Sequence, residues 1–238
     1  MVTDEREYDV VAVGAHPDDV EVGVGGIVAK LARQGKRVAI VDLTEGELAS
    51  RGSVDERRAE AAAAAAILGV AHRVNAKLPD GGIANNDAMR RTVIGILRTL
   101  RPAVLLCPMH TDRHPDHDAA HYLVRDANYL AGLAKIDTGQ APHRAPRVFY
   151  YRVYGETSAP NAVIDISETF ETKREALRAY RSQLFNPQYE GTATYVSSEA
   201  FWNGIEARAA YWGARIGAAY GEPIYCDGPV GLESLPAL

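Results

Sequence analysis

Continuous apolar runs alternate with segments of helical character along the first part of the chain. Tyr8–Gly14 is a β-branched run without polar alternation, which is typical of a strand buried on both faces. Similar runs predict three further strands, at 37–43, 72–78 and 103–107. Helices are predicted between them, at 27–34, 53–68 and 87–100. This alternation predicts a mostly parallel sheet with right-handed crossovers and helices on both faces.

Local signals refine these boundaries. Ser53 and Glu56 have the spacing of a capping box, and Gly69 follows the Ala-rich helix as its stop. The glycines at 23, 25 and 26 lack the G-x-G-x-x-G spacing of a dinucleotide-binding loop, so we interpret them as close packing of a helix against the sheet.

After residue 145 the pattern changes to shorter elements. Strand-like runs and helical segments follow, at 148–153, 162–166, 169–184 and 199–219. Between the two helices, residues 186–198 predict a long loop, and long loops in compact domains are often functional. The 238 residues show neither an internal repeat nor a long linker. We therefore expect one domain, 1–238, with a Rossmann-like α/β fold and C-terminal strand–helix elements.

Composition narrows the class of protein. A net charge of -5 gives no basic surface for nucleic acid. Cys107 and Cys226 do not form a disulfide framework, and we interpret both as small buried apolar residues. The charged N-terminal residues do not resemble a signal peptide, and no apolar run approaches the roughly 20 residues that span a bilayer. The expectation is a cytoplasmic protein that does not contact membranes.

Two short polar segments, AHPDD at 15–19 and HPDH at 114–117, each follow a predicted buried strand. Because ligands of parallel sheets bind outside the carboxyl ends of the strands, we expect the two segments to meet. They hold three of the seven histidines and three carboxylates. The first segment alone is compatible with a turn and a helix cap. A second such segment after another strand favours a metal site.

The expected metal ligands are His16, Asp19 and His117, with water in the remaining position. Two imidazoles and one carboxylate suit Zn²⁺, and they also suit Fe²⁺ or Mn²⁺. An open position is the catalytic arrangement, because a metal there lowers the pKa of its water to about 7 and polarises a carbonyl oxygen.

Three further residues of the same segments are candidate catalytic groups. Asp18, next to a ligand, is the candidate base for the water. Asp116 is expected to orient the ring of His114, which in its protonated form would stabilise an oxyanion or protonate a leaving group.

Three arginines suggest an anionic substrate, because a guanidinium binds carboxylates with a bidentate fork. Arg57 lies at the start of the Ala-rich helix, Arg113 directly precedes His114, and Arg144 lies in the sequence PHR. The alternative for each is a solvated surface arginine.

The motifs continue along nearly the whole chain, as TEGELASRGSVDERRAEA, LPDGGI, DRHPDH, PHR, VIDIS and AYGEP. With AHPDD, they resemble the metal-dependent N-acetylglucosamine deacetylases of the PIG-L/LmbE type. The resemblance is greatest to the branch that deacetylates N-acetylglucosaminyl-malate in bacillithiol biosynthesis. It implies a Rossmann-like fold and a homo-oligomer, commonly a hexamer. It also implies zinc on His16, Asp19 and His117, with Asp18 as the base and His114 as the acid or oxyanion partner.

The resemblance also assigns roles to the arginines. Arg57 and Arg113 match arginines that hold malate-like carboxylates, and Arg144 matches one near the metal that can come from a neighbouring subunit. These relatives carry a tyrosine near the start of the last long helix, where this chain has Phe201. Either Tyr195 or Tyr189 in the preceding loop takes its place, or that role is absent.

The expected function is therefore that of a zinc-dependent amidohydrolase, which hydrolyses a linear amide C–N bond. It would remove acetyl from an N-acetylglucosaminyl conjugate, and the malate conjugate is the first candidate. One alternative keeps this chemistry for another N-acyl amino sugar or glycoconjugate. Another is a non-catalytic sugar- or nucleotide-binding Rossmann-like module without stoichiometric metal. The expected partner is a small amino sugar with an anionic aglycone, neither nucleic acid nor membrane.

Overall fold

A five-stranded parallel sheet forms the centre of the computed structural model, which describes residues 7–155 and 158–231. Its strands are β1 (Tyr8–Gly14), β2 (Val38–Thr44), β3 (His72–Leu78), β4 (Pro102–Pro108) and β5 (Arg147–Tyr151). Their order is β3-β2-β1-β4-β5, and every pairing is parallel. The order reverses between β1 and β4, so a crevice opens at their carboxyl ends. Residues 1–6, which bear on the signal-peptide expectation, lie outside the described range.

Helices cover both faces of the sheet, as predicted. They are α1 (Asp19–Arg33), α2 (Val54–Leu68), α3 (Asp87–Leu100), α4 (Pro115–Ala131), α5 (Phe170–Ala179) and α6 (Glu199–Ala214). Val10 and Ile40 belong to the apolar core under α1, α2 and α5, whereas Val11 and Val41 belong to the core under α3 and α4. Alternating side chains of buried strands thus supply both layers. In the described part of the chain, every helix falls short of the length and apolarity needed to cross a membrane.

The C-terminal part forms a second, smaller sheet. β6 (Ala162–Asp165) and β7 (Gly221–Ile224) pair antiparallel, and β7 is not among the predicted strands. Beyond β7, Tyr225 exchanges backbone hydrogen bonds of 2.8 and 2.9 Å with Tyr150 of β5, which attaches the pair to the main sheet. Cys226 is only half-buried at this attachment, contrary to our interpretation, whereas Cys107 in β4 is fully buried.

Two helices end earlier than the sequence predicts. α6 stops at Ala214 rather than at 219, and α5 stops at Ala179 rather than at 184. After α5 the chain turns toward α2, where the carboxylate of Glu60 accepts hydrogen bonds from the backbone and the hydroxyl of Ser182, both at 2.7 Å. The backbone N–H of Ser182 thus bonds to α2 instead of to the preceding turn of α5.

The glycines of α1 confirm the interpretation as close packing. A Cβ atom at Gly23 would lie 2.2 Å from the ring of Tyr151, and one at Gly26 would lie 2.6 Å from Ile166. Both distances are too short for any side chain. Glycine therefore allows α1 to lie directly against β5 and the segment after β6.

α1 begins at Asp19, eight residues before the predicted start, and is broken at Val24, whose φ and ψ are −140° and 22°. The carboxylate of Glu222 accepts the backbone N–H groups of Gly26 and Ile27, at 3.0 and 2.7 Å. It therefore caps the second segment of the helix. The sequence predicts that second segment and misses the first one, which carries Asp19.

Candidate active site

The two polar segments meet at the carboxyl ends of β1 and β4. Residues 15–19 connect β1 to α1, and residues 114–117 connect β4 to α4. Pro115 occupies the first turn of α4, and His114 is its N-cap, with Nδ1 accepting the backbone N–H of Asp116 at 3.2 Å. The ring centroid of His114 lies 4.7 Å from that of His16 and 5.0 Å from that of His117. The topology thus brings three imidazoles together from two distant parts of the chain.

Asp19 lies between two of these imidazoles. Its Oδ1 is 3.2 Å from Nε2 of His117, and its Oδ2 is 3.4 Å from Nδ1 of His16. Oδ2 also accepts the backbone N–H of His16 at 2.8 Å. All three residues are buried. The three predicted metal ligands are therefore neighbours, with the Asp19 carboxylate between the two rings.

In both His16 and His117, the ring nitrogen that does not face Asp19 faces another carboxylate. Nε2 of His16 lies 3.1 Å from Asp80 and 3.2 Å from Asp116. Nδ1 of His117 lies 3.1 Å from Asp112. A metal-binding histidine commonly directs its other ring nitrogen to a carboxylate, which fixes the orientation of the ring. The outer carboxylates therefore match the environment of two metal-binding histidines.

The prediction that Asp116 orients His114 is wrong for its side chain. The carboxylate of Asp116 contacts His16 and accepts the backbone N–H of Gly81 at 2.7 Å. The ring of His114 receives only the Asp116 backbone N–H, because it caps α4. Sequence reasoning missed Asp80 and Asp112, although each follows the carboxyl end of a strand of the sheet. That position is the signal that could have identified both.

The donor set fits a divalent cation. Both ring nitrogens of His117 are buried, and their contacts with Asp19 and Asp112 are ion-pair distances rather than well-directed hydrogen bonds. Buried polar atoms of this kind call for a partner. One nitrogen each from His16, His114 and His117 lies within 4.8 Å of the others. Burial opposes the charging of His117, but Asp19 and Asp112 outweigh it and raise the pKa of His117 to about 9. The centre thus has a carboxylate environment that favours positive charge.

Asp18 lies beside this centre in an unusual backbone conformation. Its φ of 111° is in the left-handed region, which residues other than glycine rarely adopt. Burial raises the pKa of the Asp18 carboxyl to about 7, against the opposing charge of Arg57. Nη2 of Arg57 donates to Oδ2 of Asp18 at 2.9 Å. Asp18 thus combines a strained backbone with a carboxylate held by one arginine.

Arg57 is not a solvated surface arginine. It is buried, and its Nε and Nη2 donate to the carbonyl of Pro17 at 3.1 and 2.5 Å. Its Nη1 donates to the side-chain oxygen of Gln183 at 2.7 Å. The guanidinium is therefore engaged by protein groups on each side, and it contacts the candidate base Asp18 rather than the open crevice.

Arg113 is exposed at the rim of the centre, stacked against aromatic rings. Its guanidinium carbon lies 4.0 Å from the ring centre of Tyr195 and 5.2 Å from that of Tyr154. Tyr154 in turn stacks on His117, with centroids 5.4 Å apart and planes at 12°. Tyr154 therefore contacts both Arg113 and the candidate ligand His117. Cation–π contacts with Tyr154 and Tyr195 hold the Arg113 guanidinium near the site.

Phe201 also belongs to this aromatic group. Its ring centroid lies 5.3 Å from Tyr195 and 5.9 Å from Tyr154. Tyr189 instead packs against the guanidinium of Arg51, with the carbon 5.0 Å from the ring centre. Of the two tyrosines considered as replacements near Phe201, Tyr195 is therefore the one in this group.

Arg144 lies outside the candidate site that a single chain forms. This residue precedes β5, and its neighbour His143 contacts the carbonyl of Pro102 at the start of β4, 2.9 Å away. Strands of a parallel sheet begin at the edge opposite their carboxyl ends, so Arg144 lies across the sheet from the centre. Its guanidinium carbon is 4.6 Å from the ring centre of Tyr129. Within a single chain Arg144 therefore lies away from the centre, and its contribution from a neighbouring subunit stays a prediction.

Comparison with known proteins identifies the family. The model of the PIG-L family, described as GlcNAc-PI de-N-acetylase, matches residues 11–128, which include both polar segments. The chain is 30% identical over 236 residues to diacetylchitobiose deacetylase of Thermococcus kodakarensis, covering 90% of this chain and 81% of that protein. The chain belongs to the PIG-L deacetylase family.

Other similarities agree with membership of the PIG-L family. A 1D-myo-inositol 2-acetamido-2-deoxy-alpha-D-glucopyranoside deacetylase of Saccharopolyspora erythraea is 28% identical over 242 residues, covering 79% of this chain and 88% of that protein. The crystal structure of a conserved protein from Thermus thermophilus superposes with a TM-score of 0.88 at 36% identity. That match covers 97% of this chain and 100% of the Thermus chain. The α/β fold is therefore that of solved relatives.

Proposed function

We propose that this PIG-L family member is a metal-dependent hydrolase that removes acetyl from an N-acetylglucosaminyl conjugate. The observation that carries the proposal is the position of Asp19 between His16 and His117, with Asp18 next to Asp19 in the chain. The relatives from Thermococcus and Saccharopolyspora are both named as deacetylases of acetylated glucosamine conjugates, which supports this substrate class.

His16, Asp19 and His117 would hold the metal, and their donor types favour zinc, with ferrous iron as the second candidate. A metal bound there would polarise the amide carbonyl and lower the pKa of a water molecule. The carboxylates behind His16 and His117 would keep the ligating nitrogens directed at it.

Asp18 is proposed to take the proton of the attacking water and to pass it to the leaving amine. Arg57 occupies Oδ2 of Asp18, and none of the residues that the structure describes hydrogen-bonds Oδ1. That oxygen is the one left for water. A pKa raised to about 7 by burial suits a group that first accepts and then returns a proton near neutral pH.

His114 is proposed to stabilise the oxyanion as a neutral ring rather than as the imidazolium first expected. Its Nδ1 accepts the Asp116 backbone N–H, so the proton of the neutral ring lies on Nε2. Burial, with the nearby charges of His16 and His117, lowers the pKa of His114. An Nε2–H fixed by a helix cap is a preorganised donor for a developing negative charge.

For the aglycone, the malate conjugate of bacillithiol biosynthesis is our first candidate. Arg113 supports it, because this exposed cation at the rim forms no ion pair with any described residue. A guanidinium in that position suits a carboxylate-bearing substrate. A neutral chitobiose-type substrate is the second candidate, supported by the Thermococcus relative.

Arg144 is assigned to the site of a second copy of the chain, in a homo-oligomer such as a hexamer. Support comes from its exposure at the opposite edge of the sheet, together with the nearby exposed side chains of Tyr129 and Leu133. An isologous or ring-forming contact of this kind would bring one chain's arginine toward another chain's crevice.

The test is acetate release by the metal-loaded protein from four compounds: N-acetylglucosamine, its malate conjugate, its inositol conjugate and diacetylchitobiose. We expect the highest kcat/KM with the malate conjugate, and loss of turnover with retained metal in Asp18→Ala. Equal, feeble rates on all four would contradict the malate assignment. A chain that binds these sugars without stoichiometric metal and without acetate release would instead be a binding module.

A further inference from the structure

The backbone and side chain of Asp18 are held by the same guanidinium. Arg57 donates twice to the carbonyl of Pro17, the residue before Asp18, and once to the Asp18 carboxylate. Asp18 has a φ of 111°, and non-glycine residues keep such conformations only where surrounding contacts impose them. One planar group therefore fixes both the strained peptide and the carboxylate that follows it.

Close packing prevents Arg57 from moving away from Asp18. A Cβ atom at Gly46 would lie 3.2 Å from the guanidinium carbon of Arg57, so the loop after β2 lies directly on the guanidinium group. Gly46 itself has a φ of +68°, which favours glycine. On the other side, Gln183 accepts from Arg57 and donates to the carbonyl of Arg51 at 2.6 Å. The guanidinium has a fixed cradle made entirely of protein.

Gln183 is itself fixed by neighbours outside the centre. A Cβ atom at Gly52 would lie 2.7 Å from the hydroxyl of Ser182 and 3.2 Å from the amide nitrogen of Gln183. Arg51 donates to the carbonyls of Ser182 and Thr192, at 2.7 and 3.0 Å. The support for Arg57 thus reaches the predicted loop at 186–198, which also carries Tyr195 of the rim.

We propose that Arg57 is a positioning residue, which holds the Asp18 carboxylate by Oδ2 so that Oδ1 faces the metal centre, and that Gln183 holds Arg57 in turn. This inference rests on the proposed function of the centre. It replaces the expectation that Arg57 binds a carboxylate of the substrate, because the donors of Arg57 are directed at Pro17, Asp18 and Gln183.

The two roles predict different kinetics. A positioning residue affects the chemical step on every substrate, because it acts through Asp18. A residue that binds a substrate carboxylate affects the KM of anionic substrates and leaves neutral ones unchanged. Neutral diacetylchitobiose and the anionic malate conjugate therefore separate the two roles.

The experiment compares kcat, KM and metal content of the wild type, Arg57→Lys, Arg57→Ala and Gln183→Leu on both substrates. Arg58→Lys and Arg58→Ala are the matched controls, because Arg58 is the next residue, is 62% exposed and, among the described residues, pairs only with Asp55 and Glu45. Guanidinium chloride at millimolar concentration is added to Arg57→Ala as a rescue. Crystal structures of the wild type and of Arg57→Lys at equal metal loading report the orientation of Asp18 directly.

We expect Arg57→Lys to lower kcat about 100-fold on both substrates, since an ammonium cannot replace the planar fork and small misplacements cost about that much. KM and metal content should stay within about twofold, because neither ligand nor substrate contact is removed. Gln183→Leu should lower kcat less, by about threefold to tenfold, and free guanidinium should restore part of the activity of Arg57→Ala. The Asp18 carboxylate should rotate in the Arg57→Lys crystal.

A kcat of Arg57→Lys within about threefold of the wild type on diacetylchitobiose would overturn the inference, as would an effect confined to the KM of the malate conjugate. An unchanged Asp18 in the crystal would overturn it too. If Arg57→Ala does not fold, Arg57→Lys and Gln183→Leu carry the test. A wild type that releases no acetate from any substrate refutes the proposed function, and the crystal comparison then still decides the role of Arg57.

Discussion

Individual side chains at the centre are held by carboxylates placed outside the ligand set. Asp112 shows this most clearly, because it faces Nδ1 of His117 and also accepts the backbone N–H of His114 at 3.0 Å. A single carboxylate thus supports one candidate ligand and the proposed oxyanion donor. Since the opposite nitrogen of His117 faces Asp19, the orientation of the ring depends on both acids.

We therefore expect Asp112→Asn to weaken metal binding by about 10- to 100-fold, because the carboxylate that orients His117 and increases its basicity is lost. Metal titration with a competing chelator measures this change. Turnover per bound metal should change much less. Asp126→Asn is the matched control, since Asp126 pairs with Arg125 and Asn85 on the surface. Equal metal affinity in the two variants would contradict the role of Asp112.

Among the secondary-structure elements, helix α1 packs very closely against its neighbours. Its first segment bears Asp19, its break lies at Val24, and its glycines lie against neighbouring side chains. The residues that allow this packing therefore also set the position of a candidate ligand. α6 offers a contrast, since a Cβ atom added at Gly204 would meet no atom of the described residues within 4 Å outside its own helix backbone.

Gly23 of α1 and Gly204 of α6 should respond oppositely to substitution by alanine. Gly23→Ala should lower the free energy of unfolding by about 1–3 kcal/mol, because the methyl group collides with the ring of Tyr151. Gly204→Ala should raise it by about 0.5–1 kcal/mol, because alanine restricts the unfolded chain and favours the helix. Urea unfolding measures both. Destabilisation by Gly204→Ala would contradict the open space around Gly204 in α6.

The cap on the second segment of α1 is a buried ion pair. Glu222 accepts from Lys173 at 2.6 Å as well as from the backbone of α1, and both side chains are buried. Burial lowers the pKa of Lys173 against the opposing charge of Glu222. The pair joins α5, β7 and α1 at one point.

Glu222→Gln should therefore destabilise the fold by about 3–5 kcal/mol, since it leaves the buried ammonium of Lys173 without its counter-charge. Glu171→Gln is the control, because Glu171 is 59% exposed and pairs with Arg178 on the surface. That change should cost less than about 1 kcal/mol. Similar losses in urea unfolding of the two variants would refute the importance of the buried pair.

The sequence predicted the elements whose signals are local. Buried strands appear as apolar runs, and His16, Asp19 and His117 lie in compact motifs that follow two of them. β7 escaped prediction because a four-residue run that contains a proline carries little strand signal. The engagement of Arg57 could not be predicted either, since no local pattern distinguishes a guanidinium that contacts Asp18 from one that waits for a substrate carboxylate.

In the whole molecule, the sheet separates two groups of functional candidates. The centre lies at the carboxyl ends of β1 and β4, while Arg144 lies at the opposite edge, before β5. A contribution of Arg144 to catalysis therefore requires a second copy of the chain. The assembly would then complete each site.

Subunit mixing tests this assignment. Arg144→Ala and Asp18→Ala should each be nearly inactive alone, and an oligomer reassembled from equal amounts should recover up to about a quarter of wild-type activity. Recovery arises at sites where one chain supplies Asp18 and its neighbour supplies Arg144. Full activity of Arg144→Ala alone, or no recovery on mixing, would contradict the assignment. Asp18→Ala mixed with Asp18→Asn is the control and should stay inactive.

The meeting of residues 15–19 with residues 114–117 also has a mechanical consequence. The two segments are separated by roughly 100 residues of chain, yet His16 and Asp116 are in contact. An ion held by both would act as a removable cross-link that closes a very long loop, and such clips stabilise a fold in the same way as a covalent bridge. At 100 times its dissociation constant, the ion would add about 2.7 kcal/mol. A chelator should then lower the melting temperature by about 5–10 °C, so a loss of thermal stability would accompany the loss of activity.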